Sequence, residues 1–325
     1  MTMLGTIGGT PLVEVEGVHV KLECANPGGS VKDRVALYLL ERAANRGELR
    51  PGDTVVETSS GNTGISLALI ACRLGHRVII YMPEHMSVER KQLLEGAGAE
   101  VRLTPRASGF GGAIAERDAY RGRPGFYVPD QFGNPDNVRC HRETTGAEII
   151  AQLAKAGVGK IDYFVSGVGT GGTLMGVGAA LRAAMPNVKV AAVEPAESRE
   201  LSGGAPGDHG IMGIGDGFVP GLVDMKMVDE ILQISTEEAH AAAARIRERH
   251  GYCVGRSAGA NFTAALRLRE RGASVVTVWP DCANRYVSLG LKPPSSPDVT
   301  CPLREGCESR SRSLFEGRTA PERGA

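Results

Sequence analysis

Short apolar runs alternate along this chain with longer stretches in which apolar residues recur at helical spacing. Residues 18–22 read as a strand and residues 35–46 as a helix. Residues 53–57 form the next strand, which runs into the turn SSGNTG, and a helix follows over 65–74, closed by Gly75. A strand over 77–82 stops at Pro83; a helix (87–95), a strand (100–103) and a helix (113–120) come after it. The second half repeats the style. A strand over 163–166 meets GVGTGGT, a helix runs on to Ala184, and strands follow over 188–193 and 231–234. Residues 236–250 read as an Ala-rich helix with Thr236 as N-cap ahead of Glu237 and Glu238. A short strand over 252–254, a helix over 261–271 and a strand over 275–279, halted by Pro280, complete the pattern. The alternation predicts an α/β fold of two lobes. Its parallel-rich sheets are flanked by helices, and the active site lies in a crevice at the strands' carboxyl ends.

A length of 325 residues suits two packed lobes. Lys plus Arg and Asp plus Glu number 37 each, so the charge gives no reason to expect nucleic acid or an acidic membrane as partner. The opening MTMLGTIGGTPLVEVEG lacks the basic and apolar runs of a signal peptide, and no apolar stretch approaches the roughly 18 residues of a membrane span. Seven scattered cysteines, an odd number, read as reduced thiols in a cytoplasmic protein. Residues 291–325, with Pro293, Pro294, Pro297, Pro302 and Pro321 among Ser, Arg and Glu, are expected to be a disordered tail. Cys301 and Cys307 lie there, but two cysteines alone do not make a metal site, and none is expected.

Four segments carry candidate chemistry. In KLECANPGGSVKDR, Asn26 to Gly29 break the chain after a strand and Ser30 caps a new helix, which puts Lys32 in its first turn. Most lysines so placed are solvated. Here the positive end of the helix and Arg34 both disfavour the ammonium form, one route to an amine able to form imines. In SSGNTG, backbone N–H groups and the side chains of Ser59, Ser60, Asn62 and Thr63 make a nest for a carboxylate or phosphate, unless the turn is merely capped. In SGVGTGGT, Gly167, Gly169 and Gly172 satisfy G-x-G-x-x-G, and Glu194 follows at the end of the next strand. That is a dinucleotide fingerprint, and an NAD-dependent oxidoreductase is one reading. A monophosphate fits the same helix end, with Thr170 and Thr173 as hydroxyl donors, and only that reading also gives work to Lys32 and SSGNTG. In GRSAGA, Ser257 reads on local grounds as an N-cap.

In this order and spacing the segments resemble the fold-type II pyridoxal-phosphate enzymes, in particular the cysteine synthase (O-acetylserine sulfhydrylase) and cystathionine β-synthase family. The likeness spans about residues 4–290 and includes GGTPLV, NPGGSVKDR, TSSGNTGISLA, MSVERKQLLEGAGAEV, QFGNP, HRETTGAEI, SGVGTGGTLMGVG, VEPAES, GIGDGFVP and PDCANRYVS. The resemblance implies a smaller, mobile domain over 36–135, a larger cofactor domain from 1–35 with 136–290, and a homodimer. It implies that Lys32 binds pyridoxal 5'-phosphate as a Schiff base and acts as the general base. Asn62 then meets the ring hydroxyl, Ser257 the ring nitrogen, and Gly169, Thr170, Gly171, Gly172 and Thr173 the phosphate. Ser59, Ser60, Asn62 and Thr63, with Gln131 of QFGNP, grip the substrate carboxylate.

The implied reaction is β-replacement on an O-activated serine by a small nucleophile, foremost cysteine synthesis from O-acetyl-L-serine and sulfide. Cystathionine β-synthase, or an enzyme that adds another thiol or an amine, is the alternative. HGIMGIGDGFVP has no arginine of the kind that O-phosphoserine users carry there, which disfavours a phosphate leaving group. Departures from the pattern are Thr58-Ser59 for Pro-Thr, Arg256 before Ser257, a short 13–20 segment, and Cys282-Ala283 for Ser-Gly.

Overall fold

In the computed structural model, which describes residues 3–59, 61–86 and 88–283, a hairpin of β1 (Leu12–Val15) and β2 (Val18–Leu22) comes early. Helix α1 (Lys32–Asn45) leads to an alternating run: β3 (Thr54–Thr58), α2 (Asn62–Arg73), β4 (Arg77–Pro83), α3 (Val88–Gly96), β5 (Glu100–Thr104), α4 (Gly109–Asp118) and β6 (Phe126–Tyr127). Helices α5 (Asp136–His141) and α6 (Ala147–Lys155) follow, joined by a π-helical turn, Arg142–Gly146. The last run is β7 (Tyr163–Gly167), α7 (Gly172–Ala184), β8 (Lys189–Pro195), β9 (Glu230–Ile234), α8 (Thr236–His250), α9 (Arg256–Glu270) and β10 (Val275–Trp279).

These strands make two sheets, ordered β5-β4-β3-β6 and β1-β2-β10-β7-β8-β9. Every pair is parallel except β1 with β2, so the expected parallel-rich α/β architecture is the observed one. Both faces of the larger sheet are buried, and alternate residues serve different cores. Val165, Ala191, Val193 and Val275 pack on one side with α9 residues such as Phe262. Phe164, Val190, Ala192 and Val276 pack on the other with Leu174 and Val177 of α7. Such two-sided burial is why these strands read as unbroken apolar runs, and each large side chain so buried contributes about 1.5–3 kcal/mol. A separate core lies on the smaller sheet, where Val55, Val78 and Ile80 meet Leu67 and Ile70 of α2 and Leu40 of α1.

Several boundaries differ from expectation, for physical reasons. The N-cap of α8 is Ser235, not Thr236: Ser235 accepts from the Glu238 N–H, and the Glu238 carboxylate accepts in turn from the Ser235 N–H, a reciprocal capping box. Ser30 is not the cap of α1; Val31 holds that position, and Ser30 forms a bridge to Asp281. Residues 252–254 make no strand, and Val254 contributes only an isolated bridge to Cys282. Ser257 lies inside the first turn of α9, whose N-cap is Gly255. Helices α1, α2 and α9 all begin earlier than their apolar periodicity, because their first turns carry polar residues that line the cleft: Lys32, Asn62 with Thr63, and Ser257.

Among the described residues, no helix is long and apolar enough to cross a membrane, and no group of His, Cys, Asp and Glu is placed to hold a metal. The tail at 291–325, with Cys301 and Cys307, lies outside the described residues, as does Ser60.

Candidate active site

A cleft of about 580 Å3 is lined from both sheets: Ser59, Gly61, Asn62 and Thr63 follow β3, and Ser166, Gly167, Gly169, Thr170, Gly171 and Thr173, though not Gly172, line it from the end of β7 into α7. Lys32 enters it from the first turn of α1. The preceding loop is fastened by Asp33, whose carboxylate accepts from the Gly28 N–H (2.5 Å) and from Ser66 Oγ of α2 (2.6 Å). A Cβ at Gly28 would stand 2.3 Å from Asp33 Oδ1, so any side chain there would displace that carboxylate. Lys32 Nζ has a long contact to Thr170 Oγ1, 3.5 Å. Burial lowers the Lys32 pKa, with Asp216 and Cys140 opposing. Arg34 does not act on Lys32 as expected: its guanidinium is taken up by Glu23 (2.7 Å) and Glu148 (2.6 Å). Desolvation, not a neighbouring cation, favours the neutral amine.

The loop after β3 is built around hydroxyls. Ser59 Oγ accepts from the N–H groups of Gly61 (3.2 Å) and Gly64 (3.0 Å) and keeps its hydrogen to donate. Thr63 Oγ1 donates to Gln131 Oε1 (2.5 Å), which brings those two expected site residues together. Asn62 Nδ2 donates to Asp281 Oδ2 (2.7 Å), across to the end of the other sheet.

Opposite lies the N-terminus of α7, with Gly171 at φ 84° as its cap. Thr170 Oγ1 accepts from Asn137 Nδ2 (3.0 Å), and Thr173 Oγ1 is 3.2 Å from His141 Nε2. Gly176 makes this possible. A Cβ there would meet Val138 O at 2.4 Å and His141 Cβ at 2.6 Å, so only glycine lets α5 lie this close to α7. His141 is buried, and burial together with Lys32 and Arg34 holds its pKa well below the usual imidazole value. A neutral ring there orients Thr173 without adding charge. Glu194 is not free for a ribose: its carboxylate accepts from Leu201 N (2.9 Å), Ser202 N (3.3 Å) and Ser202 Oγ. The fingerprint spacing therefore lacks the acid that a dinucleotide needs.

Ser257 lines the cleft from α9 and is almost fully buried. Among the described residues its hydroxyl has no protein partner. Beside it, Asn261 accepts from Gly167 N (2.7 Å) and donates to Val278 O (2.9 Å). Motif reading gives no role to Asn137, His141, Asp216 or Asp281. For Asp281 a signal exists, since it follows Pro280 at the carboxyl end of β10, where ligands gather. Asn137 and His141 act from behind the 169–173 turn, through Thr170 and Thr173, and nothing local in the sequence reveals that.

The donor set fits pyridoxal phosphate. A desolvated amine, a helix N-terminus with two hydroxyls, and a lone hydroxyl on a third element converge on one cleft.

Known proteins agree with this fit. The family profile "Pyridoxal-phosphate dependent enzyme" matches residues 3–281. A cysteine synthase of Staphylococcus aureus is 43% identical over 297 residues, 88% of this chain and 94% of the relative. The crystal structure of O-acetyl serine sulfhydrylase isoform 3 from Entamoeba histolytica superposes with a TM-score of 0.82 at 39% identity, covering 95% of each chain. That of an O-acetylserine dependent cystathionine β-synthase from Helicobacter pylori gives 0.81 at 37% identity, covering 89% of this chain and 97% of the other.

Proposed function

The chain belongs to the pyridoxal-phosphate dependent enzymes, within the cysteine synthase group, and on that premise we propose that it makes L-cysteine by replacing the acetate of O-acetyl-L-serine with sulfur from sulfide. The observation that carries this reading is the placement of Lys32, a desolvated amine in a cleft between a hydroxyl-rich carboxylate loop and an anion-binding helix end.

Lys32 would hold the cofactor's aldehyde carbon, Thr170, Thr173 and the 169–173 turn its phosphate, Ser257 its ring nitrogen and Asn62 its ring hydroxyl. When bound, the cofactor supplies an imine-forming aldehyde and a ring that accepts electrons from the substrate α-carbon. Lys32, once its amine is released, takes the α-proton and later returns it; burial keeps it in the neutral form that this step needs. Ser59, Ser60, Asn62, Thr63 and Gln131 orient the substrate carboxylate. Ser257 is neutral, so it does not add a negative charge at the ring nitrogen. That favours loss of the β-substituent over transamination. We assign a homodimer on family resemblance and a cytoplasmic location on the scattered, odd-numbered cysteines, and light scattering of the purified protein tests the first.

The test is direct. Purified protein is expected to be yellow, and borohydride followed by peptide mapping should leave the cofactor on Lys32. O-Acetyl-L-serine should change the visible spectrum, and sulfide should then release L-cysteine. Homocysteine is the rival nucleophile: faster turnover with it than with sulfide replaces this reading by cystathionine synthesis, the activity named for the Helicobacter structure.

A further inference from the structure

The cleft carries few ionisable groups: Lys32, Arg90, His209, Asp216 and Asp281. Most have partners. Arg90 reaches the thioethers of Met86 (3.5 Å) and Met212 (3.4 Å), and Asp281 accepts from Asn62. His209 Nδ1 accepts from Ile211 N (3.2 Å), so its Nε2 donates to Gly215 O (2.8 Å). Asp216 differs. Among the described residues its carboxylate accepts no hydrogen bond, and it opens onto the cleft.

Its position is fixed by its neighbours. His209 holds the carbonyl of Gly215, and Gly215 N donates to Val168 O (3.0 Å), which ties this loop to the phosphate turn. Asp216 Oδ2 stands 3.7 Å from where a side chain on Gly169 would begin. The carboxylate therefore borders the space between the cofactor-binding turn and the cleft mouth, where Phe132 and Phe218 meet with ring centroids 5.3 Å apart.

We infer that Asp216 is the base for the second substrate, so that this chain consumes the neutral, hydrogen-bearing form of its nucleophile, hydrogen sulfide or a thiol, rather than the anion. The inference rests on the β-replacement proposed above. A carboxylate at this wall repels the hydrosulfide anion and accepts from an S–H. As the S–C bond forms at the substrate β-carbon, the S–H proton passes to Asp216. The displaced electron pair reaches the α-carbon, which takes back the proton held by Lys32. Asp216 then sheds its proton to water. The groups that act on Asp216 are Lys32, His209 and Glu200, with Arg90 and Asp281 on the same cleft.

The test compares nucleophiles that differ in having a proton to lose. Holoenzyme is first reacted with O-acetyl-L-serine, followed by its visible spectrum, and then mixed with 2-mercaptoethanol or with azide. In D216N the thiol-to-azide rate ratio should fall about 10²-fold, and D216E should restore part of it. In unaltered enzyme the thiol rate should fall below the Asp216 titration but hold level above it, well short of the thiol's own ionisation, while the azide rate stays flat throughout; a thiol rate that keeps rising tenfold per pH unit up to that ionisation marks the thiolate as the nucleophile and overturns the inference. That profile decides the matter even if D216N fails to fold. Infrared difference spectra of isotope-labelled apoenzyme should show the Asp216 carboxyl titrating over the same range. An unchanged ratio in D216N, or parallel pH profiles for the two nucleophiles, overturns the inference. A lack of any spectral response to O-acetyl-L-serine would instead overturn the proposed function, and this inference with it.

Discussion

Glu57 and Arg117 form a buried ion pair (2.9 Å) at the base of the loop that follows β3, and Glu57 also accepts from the N–H groups of Thr58 (2.8 Å) and Gln131 (3.2 Å). One side chain thus sets the spacing between the two segments that are proposed to grip the amino acid. Replacing Arg117 by Leu strands a buried carboxylate and should cost about 3–5 kcal/mol. In the surviving enzyme, KM for O-acetyl-L-serine should rise more than kcat falls. Steady-state kinetics with a thermal melt measure both, and an unchanged KM would show that the pair is only structural.

Lys32 gives the opposite signature. Lys32→Ala should abolish covalent cofactor retention and lower turnover by at least ~10²-fold. Its apo melting temperature should not fall, because a buried amine held by a 3.5 Å contact stabilises little. Differential scanning fluorimetry of both apo proteins checks this.

His141 predicts a pH effect on stability. Its folded pKa lies well below 6.5, so below about pH 6.5 the unfolded chain binds a proton that the folded one refuses. The stability contribution is therefore present above that pH and is lost as pH falls, with a limiting slope of about 1.4 kcal/mol per pH unit. Denaturant titrations from pH 7 to 5 should show this slope, and His141→Asn should flatten it. A wild-type curve as flat as the variant's would contradict the buried neutral ring.

Gly28 offers a steric test. Gly28→Ala places a methyl group against the Asp33 carboxylate and should cost about 1–3 kcal/mol. Because Asp33 also fastens the loop that carries Lys32, cofactor dissociation should quicken. Release kinetics measured by absorbance, alongside the melt, separate the two effects.

Much of the architecture is legible because parallel strands buried on both faces leave an apolar run, as in β10, and because an edge-side strand such as β2 alternates apolar and polar residues; both can be read to the residue. The α5–α6 region is not. Its π-helical turn, Arg142–Gly146, adds a residue and rotates the apolar stripe, so no single helical period spans it. The candidate chemistry divides in the same way. Lys32, Asn62, the 169–173 turn and Ser257 stand in local strand-to-helix motifs and meet in the cleft. Asp281 reaches Asn62 across 219 positions of chain, and Asn137 and His141 act from a neighbouring helix, so their parts depend on the tertiary structure.

At Glu194 a familiar spacing is filled by a residue with other work. Here the acid fastens a surface excursion, binding both the backbone and the hydroxyl around Ser202. Altering it would loosen that excursion and leave cofactor preference untouched. Swapping nucleotide specificity by editing this acid, a common route in dehydrogenases, therefore has no purchase on this chain.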